Sequence, residues 1–202
     1  SEVAKGAAAL ILADDDLTHM TGAIALGRKI SENLRKAVRY IVSIHIPIIG
    51  IVTIPLLLQW SFTDIFTPVH VIFLELVMGP TCSIIYENEP MEPGTMSRPP
   101  YPLGRGFLSL RQLSTSIVQG LVITAACLMM GWTVLQQGHD HATVRTMIFL
   151  TLLLSNIFLT LVNRSFHETI FRTIAYRNWM VGIITLINVL MIALFLFLPW
   201  CR

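Results

Sequence analysis

Charge is what this sequence has least of. Only 13% of its 202 residues are Asp, Glu, Lys or Arg, about half the share usual in soluble domains. The formal net charge is +2 and no block of basic residues occurs, which removes nucleic acid from the expected partners. Cysteine is scarce too. Cys82, Cys127 and Cys201 all fall in or beside apolar segments. No CxxC or Cys/His spacing accompanies them, so neither a disulfide framework nor a zinc site is expected. No signal peptide opens the chain, and Ser1 stands where an initiator Met would. The first residues read as the middle of a folded domain, so a fragment of a longer protein is expected.

Apolar residues are abundant: 54% are hydrophobic and the mean hydropathy is +0.68. The expected fold is mainly α, a polytopic helical bundle whose partner is the lipid bilayer. Five apolar segments approach the ~20 residues that a span needs: 37–58, 67–86, 114–135, 146–162 and 179–200. They divide the chain into a transmembrane domain, 37–202, and a preceding part, 1–36. Trp60, Trp132, Trp179 and Trp200 lie near segment ends, where interfacial aromatics belong. With this layout twelve of the fourteen basic residues fall on one side, leaving only Arg145 and Arg202 on the other. Because cytoplasmic loops collect Lys and Arg, the N-terminus is expected to be cytoplasmic. Five spans then leave Arg202 outside, which points to a missing returning helix.

Residues 1–36 differ from the rest. SEVAKGAAAL has helical composition, and Ala9 to Ala13 is a short apolar run that reads as a buried strand edge of an α/β domain. Asp14, Asp15 and Asp16 offer N-caps for a new helix. From Leu17 an apolar face (Ile24, Gly27, Ile30, Leu34, Val38, Ile41) runs without a breaker into the first span. A soluble helix continuous with a membrane helix is a mechanical lever. Glu87 to Leu113, rich in Pro and Gly, reads as an irregular connector. His139 and His141 read as a solvated loop rather than a metal site.

Glu75 is the one acid deep inside an apolar segment. A charge at bilayer depth costs roughly 2.5 kcal/mol or more on insertion scales, so it needs a partner or a job. A protonated Glu bonded between helices is the structural alternative. Glu75, Met78, Gly79 and Cys82 have the spacing of one helix face. Pro80 has no N–H, so the carbonyl of Leu76 loses its partner; Pro47 does the same to Ser43. Gly79, Pro80 and Pro47 thus mark two mid-membrane breaks, with Glu75 and His45 beside them. For a hard cation, the Glu75 oxygens and the freed carbonyls would be ligands. His45 suits a proton or a transition metal better, or simply packs. Gln119, Thr124, Ser155, Asn156 and Asn188 read as polar glue between helices.

The stretch SEVAKGAAALILADDDLTHMTGAIALGRKISENLRKAVRY resembles the end of the phosphorylation domain and the stalk of P-type cation ATPases, in the calcium-pump-like branch. TPVHVIFLELVMGP, followed by EPMEPGTMSRPP, resembles that branch's sixth membrane helix and its R-P-P loop. RTMIFLTLLLSNIFLTLVNRS resembles its eighth. The resemblance covers essentially the whole chain and equates its spans with the family's fifth to ninth. It implies ATP-driven cation transport through an aspartyl phosphate, with Mg and ATP as cofactors of the full-length protein and calcium the favoured ion. It implies a multi-pass protein of the plasma (inner) membrane whose partners include upstream catalytic domains of the same polypeptide.

The D-K-T-G-T, T-G-E and G-D-G-x-N-D motifs are not in these 202 residues, so this stretch alone is expected to lack ATPase activity. Family ligand positions map to His45 and Ile48 on the fifth helix, to Glu75, Met78 and Gly79 on the sixth, and to Asn156 on the eighth. Only Glu75, His45 and Asn156 keep polar side chains. The ion-binding set expected here is therefore Glu75, His45, Asn156 and the carbonyls of Ser43 and Leu76, with Glu75 the main metal ligand. A truncated pump remnant that regulates or assembles with a partner is the alternative. A secondary transporter using Glu75 as a proton carrier predicts inverted repeats, and none is seen.

Overall fold

Asp16 starts the longest element. Its carboxylate accepts the N–H of Thr18 at 2.8 Å and so caps helix α2, Leu17–Leu57. At 41 residues this helix is about 60 Å long, twice the ~30 Å of a bilayer's hydrocarbon core. Half of it must therefore stand outside the membrane. The computed structural model describes residues 2–8, 11, 16–60, 65–100 and 106–197. Among these every regular element is helical: α1 Glu2–Ala7, α2, α3 Pro68–Pro80, a π-helical segment Thr81–Ile85, a 3-10 turn Thr95–Ser97, α4 Leu110–Gln136, α5 His141–Val162, α6 Ile170–Thr173 and α7 Trp179–Phe197. The strand expected at Ala9 to Ala13 lies outside the described residues, except for Ile11, which is exposed and in no regular element.

Four helical segments are long and apolar enough to cross a membrane: α2, α3 with its π segment, α4 and α5. Helix α7 is a shorter apolar helix over Trp179–Ala193 by the same measure. The fold is a helical membrane bundle. Its centre is α4, packed between α2 and α5 through a stripe of small residues. Ser116, Gly120, Thr124, Cys127 and Gly131 are all buried. A Cβ on Gly120 would lie 2.6 Å from Ile46 Cβ and 2.8 Å from the Ser43 carbonyl oxygen. A Cβ on Gly50 would meet Thr124 Cγ2 at 2.7 Å, and one on Gly131 would meet Ile148 Cδ1 at 2.5 Å. Lipid tails are as apolar as leucine, so helices in a bilayer associate by close packing rather than by hydrophobic exclusion. These glycines let the backbones approach.

The helices do not part at their prolines. Pro47 and Pro55 sit inside the continuous α2. Pro80 keeps helical angles (φ −60°, ψ −34°), and the chain passes directly into the π turn. One missing hydrogen bond does not break a helix whose neighbours hold it. Around Pro80, Thr81 Oγ1 donates to the Val77 carbonyl at 3.0 Å and Ser83 Oγ to that of Gly79 at 2.8 Å. These hydroxyls supply donors where the regular ladder is disturbed. At the far end of the bundle the rings of Trp60 and Trp132 pack 5.2 Å apart, tying the exit of α2 to that of α4.

Gly120→Ala is expected to destabilise the bundle by about 1–3 kcal/mol, because the added methyl meets backbone as well as side chain. Gly182→Ala, where a Cβ meets nothing within 4 Å, should leave stability within about 0.5 kcal/mol. Unfolding midpoints of the two purified variants in detergent check the contrast; equal midpoints would refute close α2–α4 packing.

Candidate functional site

The polar residues inside the bundle occupy two separate surfaces. One is the α2–α4–α5 seam. Asn156, fully buried on α5, accepts the hydroxyl proton of Tyr40 on α2. The Tyr40 ring packs 5.6 Å from that of Tyr86, whose hydroxyl points to the Thr160 carbonyl at 3.3 Å. Ser43 Oγ lies 2.8 Å from the carbonyl of Arg39 and 3.1 Å from Gln119 Oε1, which also accepts from Asn163 Nδ2 at 3.3 Å. The Ser43 carbonyl, deprived of its helical donor by Pro47, faces Gly120 inside the same seam.

The second surface is the outward side of α3. Leu74, Val77 and Met78 turn into the bundle, whereas Glu75, Leu76 and Gly79 are exposed. Met78 therefore does not share the Glu75 face, although its spacing from Glu75 allows it. A Cβ on Gly79 would touch nothing, so packing within the described chain does not require a glycine there. His45 is exposed on α2, with Nδ1 2.8 Å from the Ile41 carbonyl. A carbonyl only accepts, so Nδ1 carries the proton in this contact. The structure thus joins Ser43 and Asn156 to one seam and leaves Glu75, Leu76 and His45 uncovered. Among the described residues no three His, Cys, Asp or Glu side chains gather as a metal site.

A third polar assembly was not anticipated from the sequence. Residues 87–98, read as a connector, are instead an ionic clamp. Lys36 Nζ lies 2.9 Å from Glu92 Oε1, and both side chains are 1% exposed. Glu92 Oε1 also accepts the N–H of Phe166 at 3.0 Å. The guanidinium of Arg39 sits 5.0 Å from the Phe166 ring centre. Glu89 takes Arg164 Nε at 2.6 Å and Asn178 Nδ2 at 3.0 Å, while Asn33 Nδ2 donates to the Glu89 carbonyl at 2.8 Å. Further out, Glu32 accepts from Thr95 Oγ1 at 3.0 Å, and Arg28 Nη1 donates to the carbonyls of Thr95 and Arg98 at 2.8 and 2.7 Å. Asn178 Nδ2 also reaches the Ile85 carbonyl at 3.0 Å, at the end of the π turn. The clamp therefore ties α2, the end of the α3 segment and the α5–α7 connection into one unit.

Comparison with known proteins places this architecture. The family described as "Cation transporting ATPase, C-terminus" matches residues 63–202. The chain is 27% identical over 191 residues to calcium-transporting ATPase lmo0841 of Listeria monocytogenes, covering 94% of this chain and 21% of that protein. It is 25% identical over 172 residues to calcium-transporting ATPase 1 of Lactococcus lactis, covering 85% of this chain and 19% of that protein. A "P-type sodium-transporting ATPase4" of Plasmodium falciparum is 27% identical over 130 residues, covering 64% of this chain and 10% of that protein. The chain spans about a fifth of the length of the first two of these curated relatives.

Breaking the clamp from one side leaves a buried charge alone. Lys36→Met is expected to destabilise by about 3–5 kcal/mol, and the double variant Lys36→Met/Glu92→Leu to recover most of that loss. Burial alone pushes the Glu92 carboxyl up. The Lys36 ammonium, the Phe166 N–H and the Ser165 hydroxyl outweigh it and hold the group below its usual range. The unfolded chain then binds this proton more readily, so the pair's contribution is complete above the ordinary value of 4.5. It is lost as pH falls through the lower folded value. Unfolding midpoints across acidic pH check this; the double variant should lose less stability below pH 4.5 than the wild type.

Proposed function

The chain belongs to the family of cation-transporting ATPase C-termini, and from that premise we propose that it is the membrane-transport portion of an ATP-driven cation pump. Residues 1–36 are the end of the phosphorylation domain and its stalk, and 37–202 the transmembrane domain. The N-terminus and the clamp face the cytoplasm, in the plasma (inner) membrane. The observation that carries this reading is Glu75. It is a carboxylate on an apolar helix, exposed on the side that the described chain leaves uncovered. Lipid is a poor environment for that group, so water, protein or a cation has to meet it there.

In this reading Glu75 is the main cation ligand. Gly79, open on the same side, lets an ion or another helix approach the backbone beside it. The carbonyl of Leu76, with no donor from Pro80, is the second oxygen on that face, and His45 presents Nε2 from α2. Ser43 and Asn156 act from the seam behind and set how α2 sits against α4 and α5. Ligands from the rest of the polypeptide complete the coordination, because the outward face of α3 offers one carboxylate. The names of the relatives favour calcium as the ion. Mg and ATP belong to the upstream catalytic part, which supplies phosphoryl transfer. Phosphorylation there moves α2 as a lever, and the clamp carries the motion to the end of the α3 segment and so toward Glu75.

Glu75→Gln in the full-length pump keeps the shape and removes the charge. It is expected to abolish cation-stimulated phosphorylation by ATP while leaving the unfolding midpoint in detergent unchanged. Unaltered cation dependence of phosphorylation across a panel of calcium, sodium, manganese and pH would eliminate Glu75 as the ligand.

A further inference from the structure

The segment joining α5 to α7 has two unlike faces. Its inner face belongs to the clamp: Arg164 and Asn178 hold Glu89, and Thr173 is buried. Its outer face carries Phe171, Ile174 and Trp179, 85%, 61% and 74% exposed. Arg172 and Arg177 are exposed beside them. The only acid between residues 163 and 178 is Glu168, which pairs with Arg172 at 3.0 Å on the surface. That contact is worth at most about 1 kcal/mol and yields readily to a competing anion.

The segment starts where α5 ends at Val162 and stops where α7 begins at Trp179. It therefore runs along the membrane surface between two apolar helices, at the end of the bundle that holds the clamp. Large apolar side chains next to arginines at that depth match the headgroup layer: rings and aliphatic groups enter the acyl boundary and guanidinium groups meet phosphate. An aqueous loop would gain nothing from exposing Phe171 and Ile174 together.

We propose that this segment is an anionic-lipid contact of the pump. Phe171, Ile174 and Trp179 are seated in the headgroup layer, Arg172 and Arg177 lie on acidic headgroups, and the clamp is biased from its inner face. Surface charge then acts on the ionic clamp without entering it. Each arginine near an anionic surface contributes about 1 kcal/mol, roughly a fivefold change in lipid affinity per arginine. The inference assumes only that α5 and α7 cross the bilayer, and its first test does not depend on transport.

The test uses the full-length pump in vesicles of phosphatidylcholine, with and without phosphatidylglycerol. Phe171→Trp adds an indole whose emission is read as the difference from wild type. Quenching of the added indole by brominated phosphatidylcholine, and shielding from iodide, supports the contact. Quenching by iodide alone overturns it by placing the segment in water. Quenching by neither overturns it by placing another part of the pump over the segment. In the second arm, Arg172→Gln/Arg177→Gln, which removes roughly 25-fold in anionic-lipid affinity, should abolish the dependence of turnover on phosphatidylglycerol. An unchanged lipid dependence overturns the electrostatic half of the proposal.

Discussion

The Lys36–Glu92 pair is the contact on which the rest of the arrangement depends. Two opposite charges, each 1% exposed and 2.9 Å apart, tolerate no intermediate separation. Pulled a few ångströms apart without water, each would be an uncompensated buried ion, a state worth several kcal/mol of instability. The pair therefore ties the N-terminal half of α2 to the loop after the α3 segment. Around it, Glu89 collects Arg164 and Asn178, while Phe166 lies against both Lys36 and Arg39. Charged partners from two elements, α2 and the α5–α7 connection, thus hold residues 87–98.

Within the bilayer the logic changes. Helices there gain little from apolar exclusion, and α4 holds α2 and α5 by letting backbones touch at Gly120, Gly50 and Gly131. Such contacts are steep: a displacement of a few tenths of an ångström either clashes or loses dispersion along the whole seam. The seam also holds its polar groups in pairs, Tyr40 with Asn156 and Ser43 with Gln119. Helix α2 is thus anchored by ions at its middle and by close packing at its membrane half. Over its length of about 60 Å the helix is continuous, with no break at which it could hinge.

Hydropathy made the bundle legible, because a span has to be apolar for its full length whatever it packs against. The Asp16 cap was legible for a similar reason: it is local chemistry between a carboxylate and the next turn. Pro47 misled as a break because the sequence shows the lost hydrogen bond and not the packing that keeps α2 continuous; at Pro80 the disturbance is present, as a change from α- to π-helix. The clamp was invisible because its partners are far apart in the chain. Glu92 next to Pro93 looks like a solvated turn until α2 brings Lys36 against it. The spacing of Glu75, Met78 and Gly79 allowed a shared face; which of them turns inward depends on what packs against α3. Leu74, Val77 and Met78 together form the inward side.

That split of α3 bears on how the proposed cation site would be built. The Ser43 hydroxyl and Asn156 Oδ1 already have partners in the seam, so they could join an ion only by giving up bonds that hold α2 in place. The exposed side chain of Glu75 is not committed to the seam. An ion bound at Glu75 would therefore affect the seam indirectly. It would draw α3 toward whatever covers that side, and the end of the α3 segment is bound to Asn178 and so to Glu89. In the proposed site, charge at Glu75 and charge in the clamp would act at the two ends of the same α3 segment, with no ligand reaching across the helix.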